Sequence, residues 1–493
     1  MFIPELTAFM LRTEERKWRH LYFLLFFPLF FVLHGVNQYN IKPLSIDILW
    51  LFLIYFGVII GLAALCWLFF RNISKAAIAA FWLMAFNLFF GVIQDFLKEH
   101  FAKSFITKYS VVMAVFLVLF IFLFIYIRKS KGNFRKTSIY LTYLFLLLIL
   151  VDAGQIIFKE IKRKADPLTK QLQPCNDCPK PDIFLVIADE YAGAQQLREQ
   201  FNFDNSPFEQ ALRQRGFKVL SNTNANYNFT MHSMASMLNM DYMRELNGQY
   251  FRHEEAFLCR RKITKNLFMD YAKDMGYEIV NCSFFDLEGK PKPVSHYYFR
   301  DIIPFLNRQT LAGRMNFDLG HHIASSARKE AIRMNDHYNN EKALALTLQA
   351  AAMHTPKPKL VYTHLSLPHQ PYYFDRHGKP MTTRGLTPKD VPRAYTEYLL
   401  YANQKFLKLV DSIKRNASTP PVIMLMSDHG FRQHSGPVPE KYYFMNLNAV
   451  HIPRSSEAFY DGMTNVNQLR ALLNTLFRQQ LPMLKDSTVF IKE

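Results

Sequence analysis

The chain is poor in cysteine and carries no recognisable nucleic-acid signature. Five cysteines occur in 493 residues. Cys66 lies within an apolar run, where a thiol serves as filling. Cys175 and Cys178 form a C-x-x-C that no second C-x-x-C follows, so the other half of a structural zinc site is missing. The pair reads as a small disulfide or two unpaired thiols in an oxidising compartment rather than as a redox motif. Whether Cys259 and Cys282 pair is left open. The net charge of +19 comes with no zinc-finger spacing and no RNA-binding run of aromatic and basic residues, so nucleic acid is not an expected partner. There is no internal repeat and no low-complexity tract. No small-residue cleavage site follows the first apolar run, so that run reads as a retained span rather than a removed signal peptide.

The residues that are present divide sharply. Five long apolar runs lie near Leu21–Val36, Ile46–Phe70, Ala76–Phe96, Tyr109–Ile127 and Ser138–Phe158. Most reach the roughly 20 apolar residues needed to cross a bilayer. If the N-terminus is cytoplasmic, Arg12, Arg16, Lys17, Arg19, Arg71, Lys75 and the basic loop Arg128–Lys136 fall inside. The outer loops then hold only Lys42, Lys98, Lys103 and Lys108. This is the positive-inside bias, and an odd number of spans exports the C-terminal part of the chain. Lys159 and Lys162–Lys164 fall on the outer side against the trend. Long exported domains cross largely regardless of charge, and such lysines suit anionic headgroups. The expected organisation is a five-span transmembrane domain over 1–158, a polar, proline-marked linker over 159–180, and an extracytoplasmic domain over 181–493.

Beyond Pro181, short apolar strands alternate with helical periodicity. Strands are expected at Ile183–Ala188, Tyr277–Cys282, Leu360–Leu365, Val422–Met426 and Tyr443–Ile452. Helices are expected near Ser206–Arg215, Met231–Asn239, Thr264–Met275, Lys342–Met353, Pro392–Arg415 and Val466–Gln479. Alternation of this kind predicts an α/β domain with a mostly parallel sheet flanked by helices.

Open α/β sheets hold ligands beyond the carboxyl ends of their strands. Two strands here end on residues suited to a cation: Asp189-Glu190 after the first, and Ser427-Asp428-His429-Gly430 after Val422–Met426. Between them, Asn226–Leu238 runs from a polar loop into a helix. Asn228 is a plausible cap that would place Thr230 in the first turn, where free N–H groups and the positive helix end favour a phosphate or alkoxide on Oγ1. The alternative is that Thr230 or Thr223 only caps the helix. In Thr363–Tyr373, His369 lies between Pro368 and Pro371, poised to contact a phosphate or protonate a leaving alkoxide. His364 reads as a buried, hydrogen-bonded residue. His434 is a possible additional ligand; the His321-His322 pair has no acidic neighbour at ligand spacing. Tyr372 and Tyr373 suit either a headgroup contact or the core.

The order strand-Asp189, Thr230 at a helix start, Pro368-His369-Gln370-Pro371-Tyr372, then Ser427-Asp428-His429-Gly430 resembles the sulfatase-like branch of the alkaline phosphatase superfamily. With five spans before it, the whole is similar to the membrane-anchored lipoteichoic acid synthases and lipid A phosphoethanolamine transferases. The resemblance implies a divalent metal, zinc or manganese, held by Asp189, Thr230, Asp428 and His429, with Thr230 as nucleophile and His369 on the substrate. It implies a phospholipid donor and an envelope glycan or glycolipid acceptor. Those transferases usually open with glutamate; here Asp189 stands first, and Glu190 is either a second ligand or a neighbour facing away. The C/S-x-P-x-R motif of true sulfatases does not surround Thr230, and the disulfide-rich pattern of many phosphoethanolamine transferases is absent, which leaves the donor headgroup open. A hydrolase on the same scaffold and a non-catalytic membrane-anchored binding protein are the other readings.

Overall fold

The computed structural model describes residues 19–39, 46–101, 104–161, 168, 171–246, 251, 253–295, 306–316, 325–381, 386–434, 436–453 and 456–492. The His321-His322 pair lies outside these residues. The chain divides into two compact units. One comprises 1–164 with 300–325, the other 165–299 with 326–493.

The first unit is helical. Among the described residues, five helices are long and apolar enough to cross a membrane: Arg19–Gln38, Ile46–Phe70, Ile73–Lys98, Tyr109–Lys129 and Arg135–Ile161. Their side chains are apolar nearly all round, as expected of helices surrounded by lipid and by one another. Phe27, Phe81 and Phe145, from the first, third and fifth spans, pack ring on ring with centroids 4.9 Å apart for Phe27–Phe81 and for Phe27–Phe145. The excursion around Leu306–Asn316 packs here as well. Leu306 lies against Gly35, and a Cβ at Gly91 would sit 2.7 Å from the Gln309 carbonyl oxygen, so only glycine permits that approach.

The second unit is built on six strands: β1 Ile183–Ala188, β2 Lys218–Val219, β3 Glu278–Cys282, β4 Lys359–Leu365, β5 Val422–Ser427 and β6 Asn448–His451. Their order is β2-β6-β5-β1-β4-β3. The four strands β5, β1, β4 and β3 run parallel, and β6 and β2 add an antiparallel edge. Every residue of β1, β4 and β5 is buried, which explains why they read as continuous apolar runs instead of alternating. Ala188 is in register with both Leu365 and Ser427. Three neighbouring strands therefore end level, and the residues just beyond them emerge along one rim.

Two sequence expectations change, and one open question about the cysteines closes. The strand expected over Tyr443–Ile452 is only β6; its first residue closes a 3-10 turn, Glu440–Tyr443. The chain between them binds the rim, with the Ser427 and Gly430 N–H groups donating to the Leu447 and Tyr443 carbonyls. The helix expected over Thr264–Met275 is Leu267–Asp274, and a helix absent from the sequence expectations, His253–Thr264, precedes it. Asn266 between them is extended, and its side-chain oxygen caps the second helix by accepting from Met269 N–H at 2.9 Å. Cys175 and Cys178 form a disulfide, whereas Cys259 and Cys282 are separate buried thiols.

Candidate active site

Asp189 comes directly after β1 and is 1% exposed. Asp428 and His429 come directly after β5 and are equally buried. The Asp428 Oδ1 accepts from two backbone donors, Glu190 N–H at 3.0 Å and His429 N–H at 2.9 Å, which ties the two strand ends together. Gly430 completes the turn; a Cβ there would lie 2.3 Å from the Tyr442 carbonyl oxygen. His429 Nδ1 is 2.8 Å from the Gly430 carbonyl, a bond only its N–H can make. The lone pair is thereby placed on Nε2.

That lone pair can accept from the Thr230 hydroxyl, but it also faces two carboxylate oxygens. Nε2 lies 3.1 Å from Thr230 Oγ1, 3.3 Å from Asp428 Oδ2 and 3.8 Å from Asp189 Oδ1. Thr230 is the first residue of the helix Thr230–Asn239. Asn228 is not its cap: its amide donates to the Ile491 carbonyl and its oxygen accepts from Ile491 N–H, so both groups hold the C-terminal segment. The cap position is Phe229, in extended backbone and without a side-chain bond. The first-turn N–H groups thus precede the first intrahelical bond, Ser233 N–H to the Phe229 carbonyl. Ser233 in turn donates to the Asp428 carbonyl at 2.5 Å, joining helix and strand end.

His364, in β4, joins this group. Its Nδ1 pairs with the Tyr362 hydroxyl at 3.2 Å, as expected of a buried histidine. Its Nε2, however, is buried with no hydrogen-bond partner, as is Asp428 Oδ2. Ligand atoms of Asp189, His364 and Asp428 lie within 4.8 Å of one another. This crowding sets the electrostatics. Burial, with repulsion from Asp428 and Glu190, pushes the Asp189 carboxyl well above the usual range. Burial also acts to raise Asp428, but the His429 and His364 rings beside it hold it below its ordinary value. Burial lowers His429, and lowers His364 to about 3. Two buried carboxylates and two neutral imidazoles converge with almost no donor among them, an arrangement that needs a cation or a shared proton. The oxygen and nitrogen donor set suits zinc or manganese. Ligands at tetrahedral corners about 2.0 Å from zinc would stand about 3.3 Å apart, close to the separations around His429 Nε2. The residues fit a first-row divalent metal.

Around this centre lies a second ring of polar groups. Glu190 has a left-handed backbone, φ 61°, unusual for a non-glycine residue. Its Oε1 accepts from Arg432 N–H at 2.8 Å, and its Oε2 stands 3.7 Å from His369 Nε2. Its carboxylate is thus turned toward His369 rather than joining Asp189, His364 and Asp428. His434 packs edge-on against Phe431 and Tyr443, with Glu190 close enough to oppose its desolvation. Arg432 lies over the Phe229 ring at 3.9 Å, and its charge is felt at Asp189 and His429. The sequence expectations do not include Arg432; a cation two residues past Asp-His-Gly is the available signal. Tyr372 and Tyr373, each 2% exposed, are core residues. Thr223 is no mere loop residue: it is buried, and its hydroxyl donates to the Asn446 carbonyl at 2.8 Å.

The sequence profile of the Sulfatase family matches residues 181–468, more than half of the chain. The chain belongs to the Sulfatase family. With that it joins the sulfatase-like branch of the alkaline phosphatase superfamily. Comparison with curated proteins gives no match. Among solved structures, the chain is similar to the C-terminal periplasmic domain of EptC from Escherichia coli in complex with Zn, at 14% identity and a TM-score of 0.41, covering 65% of this chain and 92% of that one. It is similar to the periplasmic domain of phosphoethanolamine transferase EptC from Campylobacter jejuni at 13% identity and 0.38, covering 60% and 90%. A phosphonate monoester hydrolase from Silicibacter pomeroyi gives 12% identity and 0.41, covering 64% and 77%. Likenesses this weak say nothing about chemistry. Within the family assignment, the structure brings Asp189, Thr230, Asp428 and His429 together, adds His364, and sets Glu190, His369 and Arg432 beside them.

Proposed function

We propose that this protein is a membrane-anchored, metal-dependent phosphotransferase that moves a phospholipid headgroup, of phosphoethanolamine or phosphoglycerol type, onto an envelope glycan or glycolipid through a phosphothreonine at Thr230. The observation that carries this reading is the Thr230 hydroxyl, at an uncapped helix start, 3.1 Å from His429 Nε2 within a convergence of buried acceptors. The lack of a C/S-x-P-x-R motif around Thr230 favours threonine over an aldehyde-derived nucleophile.

Asp189, Asp428 and His429, with Thr230 Oγ1 and with His364 alongside, would hold one zinc or manganese ion. Such an ion lowers the pKa of the threonine hydroxyl and neutralises phosphoryl oxygens. Thr230, its hydroxyl proton released to solvent beforehand, attacks phosphorus through Oγ1, the bond from phosphorus to the diacylglycerol oxygen breaks, and the second half returns the same threonine alkoxide. The first-turn N–H groups and Arg432 offset charge on the transferring group. His369 is oriented by Nδ1–H to the Gln370 carbonyl at 2.6 Å and by Glu190 at Nε2, from which it protonates the departing glyceride oxygen. In the second half the acceptor hydroxyl gives its proton to His369 Nε2 as its oxygen displaces Thr230 Oγ1. The charge bias of the loops supports a domain outside a bacterial cytoplasmic membrane, on the side where a lipid donor would be met.

Hydrolysis is the second reading and rests on the family assignment, since water in the acceptor's place uses the same residues. Mass spectrometry of protein incubated with phosphatidylethanolamine or phosphatidylglycerol tests the proposal. A headgroup-phosphate adduct on Thr230, lost in Thr230→Ala, is expected. Lipid turnover persisting in Thr230→Ala without an adduct would overturn it.

A further inference from the structure

The turn that leaves β1 is held from outside itself. Every N–H from Asp189 to Gly193 has a separate partner. Asp189 donates to the Leu365 carbonyl, Glu190 to Asp428 Oδ1, Tyr191 to Ser427 Oγ, Ala192 to the Tyr395 hydroxyl and Gly193 to the Met445 carbonyl. All but one of these partners belong to neighbouring strands or to the chain that binds the rim. The exception is Tyr395, from the helix Val391–Asn416. Its hydroxyl accepts from Ala192 N–H at 2.9 Å and donates to the Glu190 carbonyl at 2.8 Å, closing the main chain on both sides of Tyr191. Burial raises this hydroxyl well above its ordinary pKa, so it keeps the proton it donates. The same helix meets the turn again at Asn403, whose side-chain oxygen accepts from the Tyr191 hydroxyl.

The Tyr395 ring reaches two further loops. Its centroid lies 4.6 Å from that of Phe431, in the turn that carries Asp428, His429 and Arg432. It meets Tyr372 edge-on at 5.9 Å, in the loop that carries His369. One side chain thus touches the loops that follow β1, β5 and β4. Tyr395 is fully buried, so it acts through what it holds. What it holds most directly is Glu190. A left-handed backbone at a non-glycine residue persists only where the surroundings impose it. Glu190 Oε1 is bound by Arg432 N–H, but Oε2 has no hydrogen-bond partner among the described residues and stands 3.7 Å from His369 Nε2. No bond at Oε2 aims the carboxylate, so the aim comes from the backbone.

We infer that Tyr395 is a positioning residue: by bonding Glu190 and Ala192 and packing on Phe431 and Tyr372, it sets the Glu190 carboxylate where it orients His369. The inference rests on the reading of His369 as the acid that protonates the departing glyceride oxygen. Asp189 is held separately, by its N–H bond to Leu365 and the register of β1, so metal binding does not depend on Tyr395.

The test compares two leaving groups, using the full chain purified in detergent with its metal. A glyceride oxygen needs a proton as it leaves; 4-nitrophenolate, from the 4-nitrophenyl esters of phosphoethanolamine and phosphoglycerol, does not. Tyr395→Phe should lower kcat for diacylglycerol release about tenfold and leave KM within about twofold, while nitrophenolate release falls by less than about twofold. Metal content should match the parent's. Tyr277→Phe loses a buried hydroxyl bond to the Pro181 carbonyl, before the start of β1, and should leave both rates unchanged. Phe431→Leu keeps the hydroxyl bonds and loses one ring contact; it should give the same split at about threefold, and it carries the test if Tyr395→Phe does not fold. The imidazole nitrogen resonances of His369, assigned by their loss in His369→Ala, should shift in Tyr395→Phe and stay in place in Tyr277→Phe. Equal loss on both substrates, loss of metal, or unmoved His369 resonances would each overturn the inference. Shifted resonances in a protein whose parent releases no diacylglycerol would overturn the phosphotransferase reading and leave the role of Tyr395 standing.

Discussion

Asp152 in the bundle and Asp428 at the tip of β5 are both buried carboxylates, and they keep opposite company. Asp152 is met by an amide N–H from Asn37 and by the His34 ring, with Lys159 behind Asn37. Asp428 has backbone donors on one oxygen only; its other oxygen faces the lone pair of His429, with Asp189 and His364 nearby. A carboxylate that the protein itself satisfies needs nothing more. One surrounded by acceptors is incomplete until a cation arrives. Burial alone does not distinguish a metal site from a structural polar contact; the balance of donors and acceptors does.

Substitutions and one titration test that contrast. The largest effect is expected at Thr230, the proposed nucleophile. Thr230→Ala should abolish diacylglycerol release from a fluorescent phospholipid, a loss of at least about a thousandfold, while folding and most bound metal remain. Thr230→Ser should keep part of the activity. Next, Asp428→Asn should strip most of the metal by elemental analysis and lower activity at least about a hundredfold. Asp152→Asn should leave metal content unchanged, and equal metal loss in both variants would collapse the comparison.

A titration sharpens it further. His232, buried with neither ring nitrogen hydrogen-bonded, and His364 are held by burial at about 4 and about 3. In the unfolded chain both take up protons below about pH 6.5, so stability falls as the pH falls, with the raised Asp189 carboxyl, protonated in the folded state, offsetting part of the loss. Metal-stripped protein should lose roughly 5 °C of unfolding midpoint between pH 7 and pH 5, as read by calorimetry. His232→Phe, among the rings of Tyr227, Phe229 and Phe251, should flatten the slope. A pH-independent midpoint would contradict the buried neutral state.

Two smaller effects complete the set. Asp152→Ala leaves Asn37 and His34 without their acceptor and should cost about 1–2 kcal/mol in a detergent unfolding assay, with no change in metal. Thr223→Ala should cost about 1 kcal/mol by chemical denaturation, because the Asn446 carbonyl beside the rim loses its donor. A silent Thr223→Ala would return that residue to the role of a loop position.

Much of this architecture is legible in the residues themselves. Apolar runs long enough to span a bilayer are a local property, and so are the short buried strands ending on Asp189 and on Asp428-His429. Asn228 misleads because its residue type suits a cap, while the fold spends its side chain on Ile491. The helix His253–Thr264 is absent from the sequence expectations altogether. His364 can be read as buried but not as aimed: β4 is covered on both faces, so no alternation marks which side chains face the rim.

The sequence by itself determined the two kinds of region, the run of five apolar helices and the α/β domain after them, because hydropathy and periodicity act over a few turns of chain. It also determined the residue types available for chemistry. Only the tertiary structure decided that β1, β4 and β5 end level, which is a matter of strand register between segments far apart in the chain. That register brings Thr230, Asp189, His364, Asp428 and His429 to one point. The same holds for the excursion around Leu306–Asn316, which packs on Gly35 and Gly91 of the bundle, and for His34, Asn37 and Asp152, distant in sequence but joined by hydrogen bonds. Contacts of this kind depend on which surfaces remain after each element has buried its apolar face, and no local pattern records that choice.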